Sequence, residues 1–197
     1  MNEKKRLRAE AKAVRKAIPA AVRSEKSAAI FDTLTDMPAL QAASDVFCFV
    51  SFRDEVETRP ILEHLWKQGK RVYIPYIDQA EKIMRASRLD SLDELAAGYY
   101  GVMEQKDEFV RLTPAEEIDL VITPGLLFDR EGYRVGYGGG FFDGFFASFG
   151  HPAIKIGICF EEQIRTRVPR APHDIPVDWI VTDAHIYDAA MMRTASD

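Results

Sequence analysis

The residues RVGYGGGFFD, Arg134 to Asp143, bring four glycines, an arginine and an aspartate into one short turn. A loop this poor in side chains lets its backbone N–H groups approach a ligand closely, and phosphate is the common guest of such a cradle. The turn has neither the GxxxxGK[ST] spacing of a P-loop nor the GxGxxG spacing of a dinucleotide site, so the ordinary nucleotide signatures do not account for it. Lys4 and Arg8 stand one helical turn apart and can both point into a shared anion site. Further charges fall in polar loops: Arg53, Asp54, Glu55 and Glu57 in SFRDEVET, Arg134 and Asp143 in the glycine turn, and Asp174 in EEQIRTRVPRAPHDIP.

An α/β rhythm places these loops. DVFCFV, Asp45 to Val50, reads as a buried strand, TRPILEHLWKQG as a helix ended by Gly69, and RVYIPYI as the next strand. The rhythm returns with DLVITPGLLFD, an aromatic helix near Phe141 to Phe149, the strand IKIGICF and a last strand VDWIVTD. Strands alternating with helices predict a parallel sheet, and in open parallel sheets ligands collect where loops leave the carboxyl ends of strands. All three polar loops follow apolar strands. Between them, KIMRASRL reads as a short edge strand, and LDELAAGYYGVMEQ stays ambiguous between helix and loop.

At the amino-terminal end, Leu7, Ala11, Val14 and Ile18 recur at helical spacing up to Pro19, with Lys4, Arg8, Lys12 and Arg15 on another face. That is an amphipathic helix rather than a disordered tail, and its acidic residues argue against a transit peptide. A second helix follows over Ala20 to Leu34. Residues 1–23 carry eight Lys/Arg against Glu3 and Glu10, a net +6, which leaves −11 for the rest of a chain whose formal total is −5. An acidic body would repel a nucleic-acid backbone beyond one short contact, so no nucleic-acid partner is expected.

The 197 residues suffice for one substantial core, and no repeat, low-complexity tract or linker divides them. The expectation is therefore a single domain over 1–197, a three-layer α/β/α sandwich with a mainly parallel sheet and a basic amino-terminal helix. No signal peptide or membrane-length apolar run interrupts it, which predicts a cytoplasmic protein with no membrane partner. Cys48 and Cys159 lie inside apolar strand-like runs, favouring buried reduced thiols over a disulfide or a metal site.

Taken in order, KKRLRAEAK, FVSFRDEVET, PGLLFD with RVGYGGGFFD, and HDIPVD resemble the 5-formyltetrahydrofolate cyclo-ligases, also called methenyltetrahydrofolate synthetases. About residues 80–115 contribute nothing to the resemblance. It implies an ATP- and Mg²⁺-dependent ring closure of 5-formyltetrahydrofolate to 5,10-methenyltetrahydrofolate, with release of ADP and phosphate. The formyl oxygen would attack the γ-phosphate, N10 would attack the resulting imino-phosphate carbon, and phosphate would leave last. An amide-like oxygen is a poor nucleophile, so alignment with ATP and neutralisation of phosphoryl charge carry such chemistry.

The same resemblance assigns ATP to Lys4, Lys5, Arg6, Leu7 and Arg8, and to Arg134, Val135, Gly136, Tyr137, Gly138, Gly139, Gly140, Phe141 and Phe142. It assigns the folate to Arg8, Val50, Glu55, Tyr137 and Phe141, and Mg²⁺ to Asp143 and Asp174. No general acid or base is singled out; Lys4, Arg8 and Arg134 are positioning groups. For Asp143 the competing role is a helix N-cap. Many members of the family carry Arg or Lys where this chain has Tyr137 and Gly139, and a tyrosine pair where it has Phe141 and Phe142. Phosphate binding is accordingly expected to lean on Arg134, Lys4, Arg8 and the backbone. The alternatives are a folate-binding relative weakened in turnover, or an enzyme like a sugar-phosphate isomerase or CoA-transferase. Both substrates are small molecules, and a monomer is expected.

Overall fold

The computed structural model describes residues 3–98 and 101–195. Helices α1 (Glu3–Ala17), α2 (Ala20–Thr35) and α3 (Pro38–Ala42) come first, with Pro19 and Pro38 at the starts of the second and third, where no backbone N–H is needed. Strand β1 (Asp45–Cys48) is buried along its whole length, and α4 (Arg59–Lys67) returns the chain to β2 (Arg71–Asp78). Gly69 ends that connection at φ 71°, a left-handed position where glycine carries no steric cost.

An antiparallel hairpin then joins β2 to β3 (Ile83–Arg88), followed by a small ribbon of β4 (Leu95–Ala97) and β5 (Met103–Gln105), and by β6 (Leu112–Thr113) against β3. The chain continues as β7 (Leu120–Thr123), β8 (Leu127–Asp129), β9 (Arg134–Val135), α5 (Phe141–Ala147), β10 (Ile154–Ile158), β11 (Ile164–Arg165), β12 (Trp179–Val181), β13 (Ile186–Asp188) and α6 (Ala189–Thr194).

Eight strands form one sheet in the order β13-β12-β10-β7-β1-β2-β3-β6, with its five central strands, β12 to β2, parallel. Side chains alternate between its faces as the pleat demands. Val46, Cys48, Leu120, Ile122, Ile156 and Ile158 face α2, α3 and α4, burying Ile30, Leu34, Leu40, Ile61, Leu62 and Leu65. Phe47, Tyr73, Val121 and Ile180 face the other way, onto Phe145 and Phe146 of α5 and Phe128 of β8. Both cysteines are free and buried.

The structure departs from the sequence reading at the margins. KIMRASRL is not an edge strand, because β6 lies outside it. VDWIVTD is not the last strand: β13 turns back antiparallel on β12 and leads into α6. LDELAAGYYGVMEQ contains the β4–β5 ribbon, and PGLLFD contains β8, which joins β9 and β11 in a separate three-stranded sheet. These strands are two or three residues long, too short for a period-2 pattern to register.

From β1 the connections run to β2 on one side, while β7, β10 and β12 build outward on the other. The carboxyl ends of β1 and β7 therefore border a topological switch point, where loops diverge and leave a crevice. Helix α1 crosses beside it, because Ala11 and Leu7 pack against Leu126, Leu127, Val135 and Val168 of the small sheet and its surroundings.

Candidate active site

Two cavities open at this crevice, sharing Val102, Pro124 and Tyr137. The first, about 730 Å³, is walled by Lys4 and Arg8 of α1, the glycine turn from Gly136 to Gly140, Phe141 to Asp143, and Asp174. The turn is shaped by its glycines. Gly138 sits at φ 111° and Gly140 at φ 68°, and a Cβ on Gly138 would stand 3.3 Å from the Arg8 guanidinium carbon. Gly139 has no such backbone need, but a Cβ there would meet the Phe141 ring at 2.6 Å, so any side chain requires the ring to swing. Arg8 Nε donates to the Gly136 carbonyl at 2.9 Å, tying helix to turn. Among the described residues, nothing accepts from the N–H groups of Gly138 and Gly139. Backbone donors left without partners beside two cations make a site for an anion.

Asp143 and Asp174 each commit one oxygen to the protein. Asp143 Oδ1 accepts from Arg134 Nη2 at 2.8 Å and from the Ile175 N–H at 3.0 Å. Asp174 Oδ2 accepts from Lys4 Nζ at 2.8 Å and from the Ala171 N–H at 2.7 Å. Burial by itself would raise the Asp174 carboxyl, but Lys4 and the Ala171 N–H outweigh it and hold it below its ordinary value. The second oxygen of each aspartate makes no hydrogen bond among the described residues, and the Asp174 one lies 3.7 Å from the exposed His173 Nε2. The described residues contain no cluster of three or more metal-ligating side chains. Two carboxylates with spare oxygens beside an anion cradle fit Mg²⁺, which takes few protein ligands and fills its octahedron with phosphate and water.

The second cavity, about 1200 Å³, has a different character. Lys12, Arg15, Lys16, Arg23 and Arg53 line it together with Asp54, Glu55, Phe49, Val50 and Phe52. Glu55 is nearly buried, its side chain 8 % exposed. Its Oε2 accepts from the Phe52 N–H at 2.9 Å and its Oε1 from the Tyr137 hydroxyl. Burial raises the Glu55 carboxyl above its ordinary value, and the bonds from Tyr137 and Phe52 and the charge of Arg15 oppose this without cancelling it. Burial, and then the Glu55 charge, raise the Tyr137 phenol as well.

The structure thus brings Lys4, Arg8, Val135 to Phe142, Asp143 and Asp174 around one cavity, and Val50, Glu55 and Tyr137 around its neighbour. Lys5, Arg6 and Leu7 are not among the lining residues of either cavity. Lys5 and Arg6 are exposed and Leu7 packs toward the small sheet, because each step along a helix turns the side chain by about 100°. Arg134 borders the first cavity, but its side chain is 4 % exposed and its guanidinium is engaged by Asp143, by the Ile175 carbonyl at 2.6 Å and by the Phe146 ring at 4.8 Å. It holds Asp143 in place rather than offering a free phosphate ligand. Asp143 is not the N-cap of α5; Gly140 occupies that position.

Sequence reasoning missed Pro75, Ile77 and Met84 of the β2–β3 hairpin, which supply apolar wall to the first cavity. It also set Arg15 with Lys4, Arg8 and Lys12 on a face of α1 apart from its apolar stripe, whereas Arg15 is 5 % exposed. A signal existed: Arg15 lies four residues after Ala11 and three before Ile18, inside the apolar stripe, and a charge in that stripe demands a buried partner.

Comparison with known proteins gives the same outline. A family model described as the 5-formyltetrahydrofolate cyclo-ligase family matches residues 1–183. A 5-formyltetrahydrofolate cyclo-ligase from Mus musculus is 30% identical over 187 residues, covering 90% of this chain and 92% of its own. The Escherichia coli K12 protein of the same name is 29% identical over 157 residues, covering 77% and 84%. Among solved structures, the Aquifex aeolicus 5,10-methenyltetrahydrofolate synthetase superposes with a TM-score of 0.83 at 26% identity, over 95% of this chain and 93% of that one.

Proposed function

The chain belongs to the 5-formyltetrahydrofolate cyclo-ligase family, and from that premise we propose that it converts 5-formyltetrahydrofolate to 5,10-methenyltetrahydrofolate, consuming ATP with Mg²⁺. Membership sets aside the isomerase- and CoA-transferase-like alternative. The observation that carries the reading is the pair of cavities joined at Tyr137, one an anion cradle and the other holding a buried carboxylate.

In this reading the triphosphate lies against the N–H groups of Gly138 and Gly139, with Lys4 and Arg8 countering its charge. Phe141 and Phe142 close one wall and keep water from the reacting groups. When bound, Mg²⁺ supplies charge neutralisation for the phosphoryl oxygens, and Asp143 and Asp174 are the residues that would hold it. Glu55 accepts from the N–H groups of the pterin edge, and Val50 packs beside it. That arrangement points the formyl oxygen from the second cavity toward the γ-phosphorus in the first. The protein's contribution is alignment and electrostatics, in keeping with the absence of a general base from the assignment.

All of these residues come from one chain, so a monomer suffices. No helix among the described residues is long and apolar enough to cross a membrane. Two buried unpaired cysteines suit a reducing compartment, and the cytoplasm is the one proposed. The test is direct: incubation with 5-formyltetrahydrofolate and Mg-ATP should produce methenyl absorbance and stoichiometric ADP. Binding of the folate without either product would leave a binding protein in place of the enzyme.

A further inference from the structure

We propose that Arg15 is a positioning residue for folate recognition: from inside helix α1 it fixes the Tyr137 hydroxyl, and through it the direction in which Glu55 meets the substrate. The inference rests on the cyclo-ligase reading and deepens it. Arg15 Nη2 donates to Tyr137 Oη at 3.0 Å and to Asp54 Oδ1 at 3.2 Å, and Nη1 lies 3.9 Å from Glu55 Oε1. A guanidinium carries only donors, so the Tyr137 oxygen must accept from Arg15. The phenol has a single proton, and with its acceptor side occupied that proton goes to Glu55 Oε1. The Phe52 N–H holds the other oxygen. Both oxygens of Glu55 are thereby oriented before any ligand arrives, and their remaining lone pairs are the ones left for the substrate's donors.

The site is built at some cost. Arg15 is buried in the apolar stripe, and its Nε is enclosed with no hydrogen-bond partner among the described residues. A cation serving only the packing of α1 would be better replaced by leucine. Tyr137, by contrast, is 49 % exposed as a residue, and its hydroxyl end is fixed by its bonds to Arg15 and Glu55.

Charge adds to orientation. The groups around Glu55 are Arg15 from α1, Asp54 from its own loop and Tyr137 from the glycine turn; Lys12 lies 5.6 Å over the Tyr137 ring, and Lys16, Arg23 and Arg53 line the same cavity. Arg15 pulls the Glu55 carboxyl down against the upward push of burial. Removing Arg15 should raise it further, so the ionised acceptor would appear only at higher pH.

The experiment compares Arg15→Leu, Arg15→Lys and Tyr137→Phe with the unaltered protein, measuring kcat and KM for 5-formyltetrahydrofolate and for ATP across pH. Arg15→Leu should raise the folate KM roughly tenfold or more, as expected for loss of a charge-assisted contact, while the ATP KM stays within about twofold. The acid limb of folate kcat/KM should move to higher pH, Arg15→Lys should recover part of both effects, and Tyr137→Phe should reproduce the rise in folate KM. A folded Arg15→Leu protein with equal losses toward both substrates, or with an unmoved acid limb, would overturn the proposal in favour of a structural arginine. If Arg15→Leu does not fold, Tyr137→Phe decides, and an unchanged folate KM there overturns it equally. An unaltered protein that turns over no 5-formyltetrahydrofolate sinks the underlying reading itself, whereas an active parent with indifferent variants sinks only the role of Arg15.

Discussion

The two cavities share three wall residues but are built by opposite means. The anion cradle is made of main chain: Gly138 and Gly140 take up left-handed conformations, and the N–H groups of Gly138 and Gly139 have no partner among the described residues. The larger cavity is made of side chains drawn from distant segments, with Arg15, Asp54, Glu55 and Tyr137 bonded to one another across α1, the loop after β1 and the turn after β9. The lesson is one of tolerance. The first region should answer to changes of backbone or ion charge more than to changes of neutral side chains, and the second should do the reverse.

The strongest way to break that comparison is at the ion. Asp143→Asn should lower turnover by at least the roughly 10–100-fold typical of disturbing a metal ligand's supporting shell, and extra Mg²⁺ should restore part of it. Asp174→Asn should behave alike. Rates measured against Mg²⁺ concentration decide the matter, and parental Mg²⁺ dependence in both variants removes the aspartates from the ion site. Helix capping offers no rival account, since Gly140 holds the cap position.

A smaller effect is expected at Glu55→Gln, which keeps the shape but weakens acceptance by roughly 1–3 kcal/mol. The folate KM should rise and the ATP KM should not. Stability should move oppositely. Burial raises the folded Glu55 carboxyl above its unfolded value, so its ionisation opposes folding, with the penalty absent below the unfolded pKa and growing as pH rises toward the folded one. Thermal melts of Glu55→Gln should therefore show a gain over the parent at neutral pH that shrinks on acidification. A variant less stable than its parent at pH 7 would mean that the bonds from Phe52 and Tyr137 outweigh desolvation.

The smallest effect sharpens the backbone side. Gly138→Ala forces a side chain into a left-handed conformation at a strain of roughly 1–3 kcal/mol, with its Cβ against the Arg8 guanidinium. The ATP KM should rise and the folate KM should stay put. Equal changes in both would show that the turn cannot move without disturbing Tyr137.

Legibility in the sequence follows the same division. A cradle made of backbone announces itself as glycines, and Asp143 and Asp174, with Lys4 and Arg8, do meet around it. The central strands were legible because Val46 to Cys48 and Leu120 to Ile122 are apolar on both faces. The network around Glu55 was not, because its members are 39 and 122 residues from Arg15 and no local pattern links them. Only the intrusion of Arg15 into an apolar stripe hinted at it. The engagement of Arg134 by Asp143 and Ile175 was hidden for the same reason, since a basic residue in a glycine turn looks alike whether free or paired.

Helix α1 borders both cavities, Lys4 and Arg8 at the first and Lys12, Arg15 and Lys16 at the second. At 1.5 Å per residue, Lys4 and Lys16 are separated by about 18 Å along the axis. On the proposed function, the helix works as a graduated rod that would set how far apart the two reactants are gripped, and also the angle at which each is gripped. Losing one residue between Arg8 and Lys12 would shorten the rod by only about 1.5 Å but rotate one set of grips by about 100° against the other. The length of this segment is therefore constrained by phase far more tightly than by reach, as the pitch of a screw constrains where its slot comes to rest.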